Sequence, residues 1–214
     1  MIKVSRRGKT RQYPFGVTAI IRSLGGGGAE RVLTSMLNYW AEQGRCVTCI
    51  TTTDKKYHAY QLHKKVRCVT APIAATPNLL DDCPWDIPSL RNEISKAGNV
   101  VVISFMEKSN IAAILATSGL PVKLIISERT DPRTQTRYSE YKQAIIRRLY
   151  PLADALVVQT SAVKGGWADA FMPAGKVHII NNAVTLDYSG MVPDWLPANF
   201  LCGMGRLTDC KGFN

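Results

Sequence analysis

No run of eighteen apolar residues occurs in this chain, so the sequence predicts no membrane-spanning helix. Histidine is scarce. His58, His63 and His178 are the only three, too few and too scattered for a zinc cluster, so no metal is expected. Zinc-finger spacing, an RNP-like aromatic run and a helix-turn-helix pattern are missing as well, which leaves nucleic acid without support as a partner. The start, Met1 to Arg7, is basic, but no hydrophobic segment follows it, so no secretory signal is expected. Acid is scarce in the first third alone. Residues 1–70 hold 13 Lys and Arg against 3 Asp and Glu, whereas residues 71–214 hold 14 against 13. That imbalance predicts a positive surface over the first part, suited to anionic lipid or a phosphorylated substrate, or simply a solvated face that aids solubility.

Six cysteines stand at positions 46, 49, 68, 83, 202 and 210. Cys46 and Cys49 have C-x-x-C spacing, but they fall within an expected strand, 46–52. Three residues along a strand span about 10 Å and end on opposite faces, which disfavours a shared metal or a disulfide. Free, mostly buried thiols are expected, and they favour a reducing compartment, the cytosol.

What the chain does have is a core. With 214 residues, 46% of them apolar, it suits one large domain, or one domain plus a piece of another. The organising stretch is Gly25-Gly26-Gly27-Gly28-Ala29-Glu30-Arg31. A hydrophobic run from Val17 to Ile21 precedes it. Val32, Leu33, Met36, Leu37 and Trp40 follow at helical spacing, up to Gly44. This reads as strand, glycine turn and helix. Backbone amides at such a turn face the open end of a helix and form an anion site. The competing reading is a turn that lets the helix pack tightly on its sheet. The spacing is neither G-x-G-x-x-G nor G-x-x-x-x-G-K-[ST], so neither dinucleotide nor P-loop binding follows.

Further strands are expected at 46–52, 66–70, 100–104, 122–126, 155–158 and 177–180, with helices near 86–94, 110–117, 137–149 and 161–171, the last capped by Ser161. The β-branched run Val100 to Ile103 is apolar on both faces, as in a parallel sheet covered by helices. Strict alternation of strand and helix predicts an α/β fold with a doubly wound, mostly parallel Rossmann-like sheet of about seven strands. Residues 1–15 read as a basic flexible segment, 16–182 as the Rossmann-like domain and 183–198 as a linker containing Pro193 and Pro197. A new strand begins near Phe200 with no fold after it, so 199–214 is expected to be the truncated start of a second domain.

Five stretches then align in order: Gly26 to Val32, Ser127-Glu128-Arg129, Tyr150 to Asp154, Val177 to Asn182, and Gly205-Arg206-Leu207 with Lys211-Gly212. Together they resemble the retaining, nucleotide-sugar-dependent glycosyltransferases of the GT-B fold, family four, above all bacterial members that extend surface polysaccharide or lipid-linked oligosaccharide. The resemblance covers about residues 16 to 214. It implies an amino-terminal, acceptor-side domain facing a donor domain across a cleft. It also implies that Gly26, Gly27 and Gly28 close over the donor diphosphate, and that Arg206 and Lys211 belong to the donor side. No cofactor is implied. The donor would be a nucleotide sugar of the UDP type, and the acceptor a glycan or a polyprenyl-diphosphate-linked glycan.

Relatives often carry a histidine after the fourth strand, where this chain has Ser104-Phe105-Met106-Glu107-Lys108, so no catalytic residue is assigned. Glu107 and Asn110, and Glu128 with Arg129, follow strand ends, where α/β sites lie, and are candidates for acceptor or cleft contacts. Their alternatives are helix capping and a loop salt bridge. Tyr150, Pro151 and Asp154 read as structural. Lys55, Lys56, Lys64 and Lys65 are candidates for contact with an anionic membrane, Lys55 and Lys56 at the cleft rim and Lys64 and Lys65 at the far edge. That would place the protein in the cytoplasm, peripherally on the inner face of the cytoplasmic membrane. The alternative function is a noncatalytic module, left by truncation, that binds an anion or a partner.

Overall fold

Short β-branched runs and amphipathic stretches alternate along the chain, and each becomes the element its pattern demands. A computed structural model describes residues 15–74, 85–134, 139–183, 195 and 197. The strands are β1 (Val17–Ile20), β2 (Val47–Thr51), β3 (Val66–Thr70), β4 (Val101–Phe105), β5 (Lys123–Ser127), β6 (Ala155–Val158) and β7 (Val177–Ile179). The helices are α1 (Gly28–Glu42), α2 (Ile87–Ala97), α3 (Glu107–Thr117), α4 (Glu140–Leu149) and α5 (Ser161–Gly166). All seven strands run parallel in the order β3-β2-β1-β4-β5-β6-β7. The expected doubly wound parallel sheet is therefore borne out. The chain divides into two compact units, 1–182 and 183–214, and every one of these elements belongs to the first.

The sheet is buried on both faces. Val17, Ala19, Val47, Cys49, Ile103 and Phe105 pack with Leu33, Leu37 and Ala41 of α1. Ile20, Ile50, Val102, Leu124 and Ile126 pack on the other face with Leu90 and Ile94 of α2, Ile111 of α3 and Ile146 of α4. Each such Leu or Ile, once fully buried, contributes about 1.5–3 kcal/mol. Strand order reverses between β1 and β4. In doubly wound sheets the crevice beyond the strand ends at this reversal is where ligands bind.

Several boundaries differ from the sequence reading, each for a local reason. α3 begins at Glu107, not Asn110. Its flanking residue is Met106, which offers no capping side chain, and the helix is buried on most sides, so no amphipathic period marks its start. α5 is capped by Thr160, whose hydroxyl accepts from Val163 N at 3.2 Å, not by Ser161. It is only six residues long, and a separate 3-10 turn, Ala168–Ala170, follows. α2 continues to Ala97 because Gly98, at φ 65°, supplies the left-handed stop. α4 starts at Glu140 behind a Ser139 cap, while Arg137 lies outside the described residues. Cys46 stands just before β2 and is exposed, whereas Cys49 is buried within the strand.

Candidate functional site

At the end of β1 the chain passes through buried Leu24 into Gly25 to Gly28 and directly into α1. Gly27 precedes the helix with extended backbone and no side-chain cap. The first-turn amides of α1 therefore lack a capping side chain. A β-carbon built on Gly26 or Gly28 would meet nothing within 4 Å, and neither glycine has a positive φ. Neither packing inside this domain nor backbone conformation requires glycine at these two places. The tight-packing explanation of the turn thus has no support at Gly26 and Gly28. Their missing side chains leave the backbone open at these two positions, while between them the Glu30 carboxylate folds back against Gly27.

β4 lies beside β1, with Ser104 in register with Ile20. After Phe105 the chain turns through Met106, the only non-glycine residue with positive φ among those described, at φ 76° and ψ 144°. That region is nearly glycine-only and costs about 1–3 kcal/mol. The turn launches α3, whose Asn110 is fully buried and knits the strand ends together. Its Oδ1 accepts from Ser104 Oγ at 2.7 Å, and its Nδ2 donates to Glu128 Oε1 at 3.0 Å and to Ser127 O at 3.2 Å. Glu128 is 2% exposed and also accepts a hydrogen bond from the Tyr150 hydroxyl. Burial pushes its carboxyl up to about 7. The Tyr150 and Asn110 hydrogen bonds oppose that rise, and the Glu107 charge adds to it. Glu107 pairs with Lys142 of α4 at 3.2 Å, both largely buried. Nearby, Ser109 Oγ is buried with no partner among the described residues.

Arg129 completes the edge. Its guanidinium lies over the Phe105 ring at 4.8 Å and donates to Ser127 Oγ at 3.3 Å and to Asn182 Oδ1. Its backbone oxygen accepts from Gln159 at 3.0 Å, and Gln159 O accepts from Asn181. Arg129 thus ties β5 to the point where the first unit ends.

The structure therefore gathers Glu107, Asn110, Glu128 and Arg129 at one edge. Asn110 and Glu128 are satisfied internally, so they brace this edge. The sequence reading missed Tyr150 as a member of this network. Its position before Pro151 was the available signal, but it read only as a helix end. Ser104, Met106 and Lys142 gave no signal. Asp154 stands at the opposite edge, accepting from Leu124 N at 2.8 Å and Lys123 Nζ at 2.9 Å, in keeping with its structural reading. Arg206 and Lys211 lie outside the described residues.

The basic loop between β2 and β3 is anchored by three contacts. Ala59 N donates to Leu24 O, Asn38 Nδ2 donates to Gln61 O, and His63 N donates to Asn38 Oδ1. The expected separation of Lys55 from Lys64 is overturned. Both line one depression of about 410 Å³ with His58, Tyr60, His63 and Cys68, because Asn38 draws the returning half of the loop onto α1. Arg67 instead reaches Glu93 of α2 at 3.8 Å.

With this geometry in place, kinship becomes informative. Residues 26–188 match the profile of Glycosyltransferase Family 4. The chain belongs to that family. It is 31% identical over 157 residues to an alpha-1,4-N-acetyl-D-galactosaminyltransferase of Campylobacter jejuni, covering 69% of this chain and 41% of that protein. Its fold matches sucrose-phosphate synthase of Thermosynechococcus elongatus with a TM-score of 0.62 at 13% identity, over 78% of this chain and 48% of the other. It matches HepE of Anabaena, solved with UDP-glucose, with a TM-score of 0.58 at 13% identity, over 79% and 44%. The sheet is that of the first half of a GT-B fold. The chain spans less than half the length of each of these proteins. As a family-four domain it carries the glycine turn at the β1/β4 reversal and the Ser127-Glu128-Arg129 segment within the matched residues.

Proposed function

We propose that this chain is the acceptor-side half of a retaining glycosyltransferase, one that moves a sugar from a UDP-sugar to a glycan linked to polyprenyl diphosphate. The observation that carries the reading is the glycine turn. Gly26 and Gly28 lack side chains for no reason internal to the domain, and they front an uncapped helix N-terminus at the strand-order reversal. A ligand that approaches the backbone closely accounts for that, and a diphosphate is the chemistry such a site favours. Much of the barrier to transfer is charge developing on the leaving diphosphate. Amides fixed in front of it lower that barrier without reorganising. Gly26, Gly27 and Gly28 would supply them from this domain.

What relatives are named for and solved with favours the donor and acceptor classes. HepE is solved with UDP-glucose, and the Campylobacter relative is named for an undecaprenol diphosphate-linked glycan. In this reading Asn110 and Glu128 act as positioning residues. They hold the Met106 turn and Arg129, while Glu107 and Arg129 border the acceptor. Lys55, Lys56, Lys64 and Lys65 would rest on an anionic membrane from the cytoplasmic side, each contributing about 1 kcal/mol. Among the described residues no helix is long and apolar enough to cross a membrane.

The test is transfer of labelled sugar from a panel of UDP-sugars to a polyprenyl-diphosphate-linked glycan. It compares the chain alone with the chain extended by a donor-side domain. Both are expected to bind acceptor, and only the extended protein to turn over. Gly26→Val should lower kcat/KM on the order of 10²-fold, because the backbone approach is blocked. Turnover by the chain alone would contradict the half-site reading, and an inert extended protein would contradict transfer itself. Co-sedimentation with anionic vesicles should be lost when the four lysines become glutamate. Equal binding to neutral vesicles would remove the membrane role.

A further inference from the structure

Cys49 and Cys68 are register partners on the adjacent strands β2 and β3. Cys49 is fully buried, whereas Cys68 is half-buried and lines the depression that also contains Lys55, His58, His63 and Lys64. The two thiols interact across the strand pair, and that interaction acts on them in opposite directions. It is the main reason the Cys49 thiol is pushed well above its ordinary value, with burial adding to the effect. It also brings Cys68 down to about 7, against burial and with help from the Lys55 charge. Cys68 is thus the more readily ionised thiol of the pair. A thiolate is the nucleophilic form of cysteine. Around it are cationic side chains and open space, which suit an anionic reagent.

We infer that Cys68 is a modification site for small anionic disulfides of the glutathione class, seated between Lys55 and Lys64. The Cys68 thiolate attacks one sulfur of the disulfide, whose S–S bond breaks as the new Cys68–S–S bond forms. The other half leaves as a thiolate and takes a proton from water. The disulfide is the oxidant and is itself reduced, so nothing further is required. Cys49 does not displace the adduct. Its thiol is fully buried and pushed well above its ordinary pKa, so it is not the attacking form. The adduct persists until an external thiol reverses it.

This inference does not depend on the transferase reading. Its test exposes the unaltered chain at neutral pH to oxidised glutathione, and separately to the cationic disulfide cystamine, and locates adducts by peptide mapping. Glutathione is expected on Cys68 about tenfold faster than on exposed Cys46. Lys55→Gln with Lys64→Gln, both at exposed side chains, should slow Cys68 about tenfold and remove its preference over cystamine, leaving Cys46 unaffected. Cys49→Ala should slow Cys68 as well. Faster reaction at Cys46, or a Cys68 rate indifferent to the two lysine changes, would overturn the proposal.

Discussion

At the edge where the strands begin, groups fit against one another. Gly16 lies so close to Asn99 that a β-carbon there would stand 1.8 Å from the Asn99 Oδ1, and Asn99 Nδ2 donates to Thr18 Oγ1 at 3.1 Å. Asp154 joins the starts of β5 and β6 through Leu124 N. At the edge where the strands end, the same residue types are used differently. Gly26 and Gly28 face open space, Met106 holds a positive φ, Ser109 has a buried hydroxyl without a partner among the described residues, and Glu128 is a buried carboxyl with a raised pKa. A glycine required by packing marks a structural edge. A glycine required by nothing inside the domain, beside stored strain and a perturbed carboxyl, marks an edge built for something outside it.

The largest expected effect tests the carboxyl. In the unfolded chain Glu128 titrates near its ordinary value, and in the folded one near 7. The folded state therefore holds the proton more tightly. The stabilisation is complete below the unfolded value and is lost as pH rises through about 7. From pH 5 to pH 8 it amounts to roughly 2.5 kcal/mol. Urea denaturation of the wild type and Glu128→Gln across that range should show the wild type losing about this much relative to the variant. A difference that stays flat with pH would mean that Glu128 is ionised like any exposed carboxylate, and the contrast between the edges would lose one of its members.

The glycines give the next largest effect. Gly16→Ala should cost about 2 kcal/mol, because Asn99 must give way and with it the bond to Thr18. Gly26→Ala should change stability by no more than about 0.5 kcal/mol in either direction, since the new methyl meets nothing. Equal losses at both sites, read by thermal unfolding, would erase the distinction between a packing glycine and an approach glycine.

Much of this was legible beforehand, and for physical reasons. Val100 to Ile103 and Val32, Leu33, Met36, Leu37 and Trp40 carry their periods in the sequence, so the sheet and α1 followed from local patterns. The glycine turn and the Glu128-Arg129 pair stood out because each follows a strand. What stayed hidden depends on residues distant in sequence or on backbone angles. Tyr150 meets Glu128 only when α4 returns across the sheet end. Lys55 and Lys64 converge because a single α1 side chain, Asn38, holds the loop at two points. The pairing of Cys49 with Cys68 required the register of β2 on β3, which no spacing rule supplies. The Met106 turn has no compositional sign at all, since methionine is not a turn residue.

Met106 is also where the contrast between the edges is tested most finely. Its side chain is partly buried against the cluster beneath α1, so any truncation loses some packing. Met106→Ala loses that packing and keeps the strain of a β-carbon at φ 76°. Met106→Gly loses the same packing and releases the strain, against a gain in unfolded-chain entropy. At an ordinary position alanine is the more stable of the two by about 0.5–1 kcal/mol. Here the order should reverse, with glycine more stable than alanine by about 1 kcal/mol, because strain of about 1–3 kcal/mol exceeds the entropy term. Denaturant midpoints of the two variants, measured side by side, decide it, since the lost methionine contacts cancel in the comparison. If alanine proves equal or better, the turn between β4 and α3 is relaxed, and this edge stores no backbone strain.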